Sequence, residues 1–265
     1  MDSTLSQRFA SLLARPDGQI PLDEAALVIA AHAQPGLDID AELAALDDLA
    51  SQVRDPTLTG VLRLLFRDLG FDGNREDYYD PRNSFLNEVL RRRTGIPITL
   101  SVLTIEVARR VSVPLWGVGM PGHFLLRDKV DPDLFIDPFG GGRTLNARQC
   151  EQLFRRIHGP RARLDPAFLE PTPRADIVAR MLENLRGIYV RRGDRASLTW
   201  VLELRTALPR AGAAELTAFA EGLAANGDVL RAATVHERVA AMLERTGGDA
   251  RGARRRADQL RALCN

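Results

Sequence analysis

Residues 83–110 read NSFLNEVLRRRTGIPITLSVLTIEVARR, residues 117–127 GVGMPGHFLLR and residues 135–142 FIDPFGGG, and the reading of these three segments decides the fold. The hard part is 96–111. Ile96, Ile98, Leu100 and Val102 alternate as in a strand, whereas Leu100, Leu103, Val107, Ala108 and Val111 repeat as on a helix face. Sixteen residues are long for a strand. With a Gly-Ile-Pro entry and Arg109-Arg110 near the exit, they predict a buried helix. Leu115 to Val118, Gly122 to Arg127 and Leu134 to Asp137 then read as short strands, with a turn over Asp128 to Pro132.

Apolar pairing gives a register for the second and third strands. If the loop centres on Val130, opposite residues sum to 260, so Phe124 faces Ile136 and Leu126 faces Leu134. The same register sets His123 opposite Asp137, close enough for a shared hydrogen bond. A histidine oriented by an aspartate is two thirds of a Cys-His-Asp acyl-transfer site, which also needs a thiolate beside the imidazole. A helix N-terminus would favour that thiolate. Here the helix starts Gly95-Ile96-Pro97-Ile98-Thr99, and the hydroxyls of Thr99 and Ser101 stand where a cysteine would be expected. Thr99 is therefore the candidate at the nucleophile position, against the plainer reading of a helix-start hydroxyl satisfying backbone donors.

Other residues near the segment carry weaker signals. Asn83, Asn87 and Glu88 could line a polar pocket or serve as a helix cap and a solvated face. Cys150 shares a helical stripe with Leu153, Phe154 and Ile157, which reads as a structural thiol. Cys264 is next to the last residue. Gly140 to Gly142 resembles a phosphate cradle, but no lysine or hydroxyl follows at P-loop spacing, so a flexible turn is expected.

Outward from this centre the chain is helical. Asp38 to Val53 and Leu58 to Leu69 have 3.6-residue apolar spacing, and Asn83 or Ser84 is expected to cap a helix with Phe85, Leu86, Val89 and Leu90 on its buried stripe. After the stripe at Cys150, residues 161–174 hold several prolines with little periodicity and read as a linker. Two helix pairs follow, 175–192 with 195–208 and 213–226 with 229–245. Their turns, Gly193-Asp194 and Gly227-Asp228, are 34 residues apart, the tetratricopeptide period.

Composition excludes more than it identifies. Lys+Arg 36 against Asp+Glu 35 gives a formal net charge of +1, so no global field points to nucleic acid. Lys129 is the one lysine among the basic residues, which reflects GC-rich coding. The opening segment has no apolar core of a signal peptide, no stretch reaches the ~18 apolar residues of a membrane span, and two cysteines give neither a disulfide framework nor metal-ligand spacing. No cofactor and no metal are expected, and the location expected is the cytoplasm.

NSFLNEVLRRRTGIPITLSVLTIEVARR, GVGMPGHFLLR and FIDPFGGG closely resemble the SirB1 family, whose N-terminal region belongs to the transglutaminase-like superfamily and continues into tetratricopeptide-like helices. The resemblance covers residues 40–160 well and the rest loosely. It implies an α+β, papain-like domain with a small antiparallel sheet over residues 1–160, a linker, and a helical domain over 175–265. It maps the superfamily's nucleophile-bearing helix, His strand and Asp strand onto the helix near Pro97, His123 and Asp137. The sequence departs from the superfamily at the nucleophile. Two functions follow as expectations: a non-catalytic binding or regulatory protein meeting a protein partner through its C-terminal helices, or a hydrolase or acyl transferase acting on amides through His123 and Asp137.

Overall fold

The computed structural model describes residues 3–263, and Cys264 lies outside them. Twelve α-helices among the described residues are α1 (Ser3–Leu13), α2 (Leu22–Ala33), α3 (Ile39–Ser51), α4 (Leu58–Leu62), α5 (Leu86–Arg92), α6 (Pro97–Arg110), α7 (Ala147–His158), α8 (Arg174–Arg192), α9 (Arg195–Arg205), α10 (Ala213–Ala225), α11 (Val229–Arg245) and α12 (Arg251–Ala262). The strands are β1 (Asp72–Gly73), β2 (Thr94–Gly95), β3 (Leu115–Val118), β4 (Leu125–Asp128), β5 (Phe135–Asp137) and β6 (Arg143–Leu145). The chain divides into two compact units, Pro16–Met181 and a second made of Met1–Arg15 with Leu182–Asn265. The boundary falls within α8.

In the first unit α6 is the axis. Every residue from Pro97 to Ala108 is buried, and the helix packs on α2, α3 and α5 as well as on β3 and β4. Pro97 opens it, where a missing N–H costs nothing. Leu100, Val102, Leu103 and Val107 retain no exposed surface, each stabilising the unit by about 1.5–3 kcal/mol. The competing periodicities of the sequence have a simple cause: a helix enclosed on all sides needs no polar face.

Two carboxylates are buried with it. Glu106 accepts from Arg109 Nε at 2.6 Å and from Arg174 Nη2 at 3.3 Å, and Asp23 on α2 pairs with Arg110 Nη2 at 2.8 Å. Burial and the nearby Asp23 push the Glu106 carboxyl above its ordinary range. Burial also pushes Asp23 up, but the Glu24 N–H and Arg110 outweigh it and hold Asp23 below that range.

β3 to β6 form one antiparallel meander in sequential order. The β4–β5 register departs from the one inferred above. Leu126 faces Ile136 and Arg127 faces Phe135, so opposite residues sum to 262 rather than 260. The loop centres on Asp131, because Asp128 Oδ1 accepts Val130 N–H and Asp131 Oδ1 accepts Asp133 N–H, winding the turn one residue further along. His123 consequently stands not in a strand but in the turn before β4. β1 and β2, a two-residue parallel pair, and β6 have no signature in the apolar pattern. Nor has the π-helical turn Arg63–Asp68, which follows α4 where one continuous helix is expected.

The segment read as a linker is docked. Thr172 N–H donates to Gly117 O at 2.8 Å, and Pro171 bridges to Val118, covering part of the β3 edge. In the second unit, helices observed at Arg195–Arg205, Ala213–Ala225 and Val229–Arg245 match the expected positions within three residues. Consecutive helices pack on each other, α9 on α10, α10 on α11 and α11 on α12, around Leu216, Phe219, Leu223, Val235 and Val239. No helix among the described residues is long and apolar enough to cross a membrane.

Candidate functional site

His123 is fixed by its backbone before its side chain is considered. Its N–H donates to Met120 O at 3.0 Å, closing the Met-Pro-Gly turn. Gly122 takes φ +73° there, and a Cβ on it would come within 2.8 Å of Ile157 Cγ2, so conformation and space both require glycine. Arg180 Nη2 donates to His123 O at 2.7 Å and Met120 O at 2.9 Å, clamping the turn from α8. The Phe139 ring meets the imidazole edge-on, centroids 5.8 Å apart.

The side chain of His123 reaches Asp137, with Nε2 2.8 Å from Oδ1. Asp137 is also held elsewhere: Gly140 N–H donates to Oδ1 at 3.0 Å, and Arg143 donates to Oδ2 from Nε at 3.1 Å and Nη2 at 2.7 Å. Burial alone would raise the Asp137 pKa. The hydrogen bonds and charges of His123 and Arg143 outweigh it and hold the carboxyl below the usual range. An ionised carboxylate only accepts, so His123 Nε2 carries the hydrogen. In the neutral ring the lone pair then sits on Nδ1, which makes no hydrogen bond among the described residues. Gly140 is needed for this packing, since a Cβ there would lie 2.6 Å from Asp137 Oδ2. The glycine run forms the turn expected after the Asp strand. It closes the 3-10 turn Pro138–Gly140 and lets Arg143 come back to Asp137.

The remaining candidates divide. Thr99, in the first turn of α6, is fully buried, and its Oγ1 has no hydrogen-bond partner; Ser101 Oγ is enclosed in the same way. Neither hydroxyl satisfies backbone donors, and neither is bonded to His123. Asn83 caps no helix. The cap position of α5 is Phe85, without a side-chain bond. Asn83 instead braces the loop before it, with Nδ2 donating to Asp77 O at 2.7 Å and Oδ1 accepting from Asn74 and Arg92. That loop carries Tyr78, whose ring meets Phe139 edge-on at 6.1 Å. Asn87 and Glu88 join Gln34 rather than the His–Asp centre, Asn87 Nδ2 donating to Gln34 Oε1 at 2.6 Å and Gln34 Nε2 to Glu88 Oε1 at 3.4 Å. Sequence reasoning missed Arg143, Phe139 and Arg180. Arg143 alone left a trace, as the first charged residue after the glycines that follow Asp137.

Cys150 is fully buried on α7, packed with Leu153, Phe154 and Leu145. Burial and the negative charge of Asp137 push its thiol up to about 12. Three units above an ordinary cysteine, its thiolate fraction at neutral pH is roughly a thousandfold lower. Iodoacetamide at pH 7.5 should accordingly leave Cys150 unmodified in the folded protein and alkylate it readily in urea. Intact mass after a timed quench checks this. Rapid native alkylation would show an accessible thiolate.

Residues 30–183, which hold the start of α6, His123 and Asp137, match the family model described as transglutaminase-like superfamily. The chain belongs to the transglutaminase-like superfamily. Parts of the chain are similar to curated proteins of two kinds. A UPF0162 protein of Xylella fastidiosa is 43% identical over 198 residues, 68% of this chain and 70% of the relative. A UPF0162 protein of Pseudomonas aeruginosa is 35% identical over 182 residues, 65% of this chain and 66% of the relative. F-box only protein 21 of Mus musculus is 44% identical over 115 residues, which are 40% of this chain and 18% of that far longer protein. No solved structure gives a significant match.

Proposed function

We propose that this transglutaminase-like protein, of the SirB1 group, is a non-catalytic binding or regulatory protein of the cytoplasm. It keeps the His123–Asp137 centre as a rigid polar element of a recognition surface. One observation carries this reading. Acyl transfer needs a thiol against the free imidazole nitrogen, and α6 carries no cysteine; the hydroxyls near its start, Thr99 and Ser101, are enclosed and unbonded. The Arg143 fork on Asp137 supports it further: that carboxylate ties β5 to β6 as much as it orients a base. The 115 residues shared with F-box only protein 21, a minor part of that chain, suit a module that works inside larger proteins. The tetratricopeptide-like helices from α8 onward are assigned to a protein partner.

Thr99→Val tests the reading. It removes a buried hydroxyl that bonds nothing and keeps the shape, so stability should rise by about 1 kcal/mol, read from urea unfolding. Partner capture should be unchanged. Loss of a native activity in a folded Thr99→Val protein would make Thr99 a nucleophile and end the proposal. The second reading, an amide hydrolase or acyl transferase, has one observation in its favour: His123 Nδ1 is unbonded on a ring that Asp137 orients as a general base requires.

A further inference from the structure

The edge of the β3–β6 sheet ends in a cavity that shares no residue with the His123–Asp137 centre. It has a volume of about 380 Å³ and is lined by β3, the end of α6, the start of α8 and Lys129. β3 is one of the two edge strands of this sheet. Lys129 N–H donates to Pro114 O, which makes 114 with 129 a bonded pair and, by alternation, 116 with 127 and 118 with 125. Leu115 and Gly117 therefore aim their N–H and C=O groups outward. Thr172 takes up Gly117 O, and Gly119 N–H donates to Thr172 Oγ1 at 2.8 Å. The cover then turns away into α8 at Arg174, and Leu115 is left with both backbone groups facing the cavity and no partner among the described residues.

The charges around this edge are unequal in their commitments. Arg109 and Arg174 already hold Glu106, and Asp17 accepts the Arg174 and Ala175 N–H groups at the start of α8. Lys129 is exposed and lies over the Trp116 ring, Nζ 5.3 Å from its centroid, with no ion pair among the described residues. Of the acidic side chains near its turn, Asp128 accepts Val130 N–H and Asp131 accepts Asp133 N–H, and neither these nor the Asp133 carboxylate pairs with Lys129. A strand-shaped donor and acceptor beside a cation free of carboxylate describes what is missing: an extended backbone ending in a negative charge.

We propose that this cavity binds the C-terminal end of a short extended peptide, its backbone pairing with Leu115 as an added strand and its α-carboxylate meeting Lys129. The volume, at the small end of ligand sites, suits two or three residues. The apolar floor of Leu22, Ile105 and Ile177 would take their side chains.

The test uses the full-length protein and two pools of tetrapeptides, randomised at every position, one with free C-terminal carboxylates and one with carboxamides. Retained peptides are identified by mass and their affinities measured individually. Carboxylate peptides should bind at least tenfold more tightly than their carboxamides. Lys129→Gln should bring the carboxylate form down to the carboxamide's affinity without changing the latter. N-methylation along a retained peptide should abolish binding at one position only, the residue whose backbone pairs with Leu115. Retention of neither pool at millimolar concentration would overturn the proposal, as would equal binding of acid and amide or indifference to Lys129→Gln. Equal affinity for hexanoate would reduce the site to a simple carboxylate pocket and overturn the strand.

Discussion

Asp137→Ala should be among the most damaging single substitutions in the first unit, lowering its stability by about 2–4 kcal/mol in urea unfolding at pH 7. The carboxylate is 1% exposed and accepts from His123, Gly140 and Arg143 at once. Removing it strands the imidazole N–H and a backbone N–H in a largely buried site. It also frees β6 from β5 at the Arg143 fork. The figure stays below that for a fully buried pair because the Arg143 side chain is 44% exposed and recovers hydration. The pH dependence has a definite sign. The folded pKa of Asp137 is lowered, so its stabilisation is fully present above the unfolded value of ~4 and is lost as pH falls through the folded value. The gap between wild type and Asp137→Ala should thus narrow below about pH 4. A gap that stays constant into acid would show that the carboxylate's charge contributes nothing.

His123→Ala separates the two functional readings. In a binding protein it removes one buried hydrogen bond, about 0.5–1.5 kcal/mol, or roughly 1–3 kcal/mol if Asp137 is left short of a donor. Arg143 and Gly140 still hold Asp137, which favours the smaller figure. Partner capture and cellular function should survive. In an enzyme the same substitution removes the general base, and turnover should fall by about 10²–10⁴-fold. Asp137→Asn is the companion variant, since it preserves shape while altering which imidazole nitrogen holds the proton.

The order helix, His turn and Asp strand was legible because each part rests on local apolar spacing that the fold respects. The His123–Asp137 bond was inferred from a register that is one step wrong, and it survives for a physical reason. Opposite residues sum to 262 rather than 260, yet His123, held in the turn before β4 by Met120 O and Arg180, still brings its imidazole to Asp137. What the sequence hid is what apolar spacing does not encode. Two aspartate turns set the loop centre at Asp131. A π-helical turn at Arg63–Asp68 follows α4 where the spacing predicts one continuous helix. Arg143 reaches Asp137 only because Gly140 leaves room. Asn87 and Glu88 were placed near the site by their closeness in sequence, but Gln34, more than fifty residues away along the chain, takes them.

The direct test of the central claim is a turnover assay on purified wild-type and His123→Ala proteins, each confirmed folded by circular dichroism. Release of ammonia or amine from glutamine-containing and simple amide peptides is measured at neutral pH, with intact mass recording any acyl adduct. The account predicts that both proteins match the buffer blank and that no adduct forms. Reproducible hydrolysis or transfer by the wild type that falls 10²-fold or more in folded His123→Ala would contradict it.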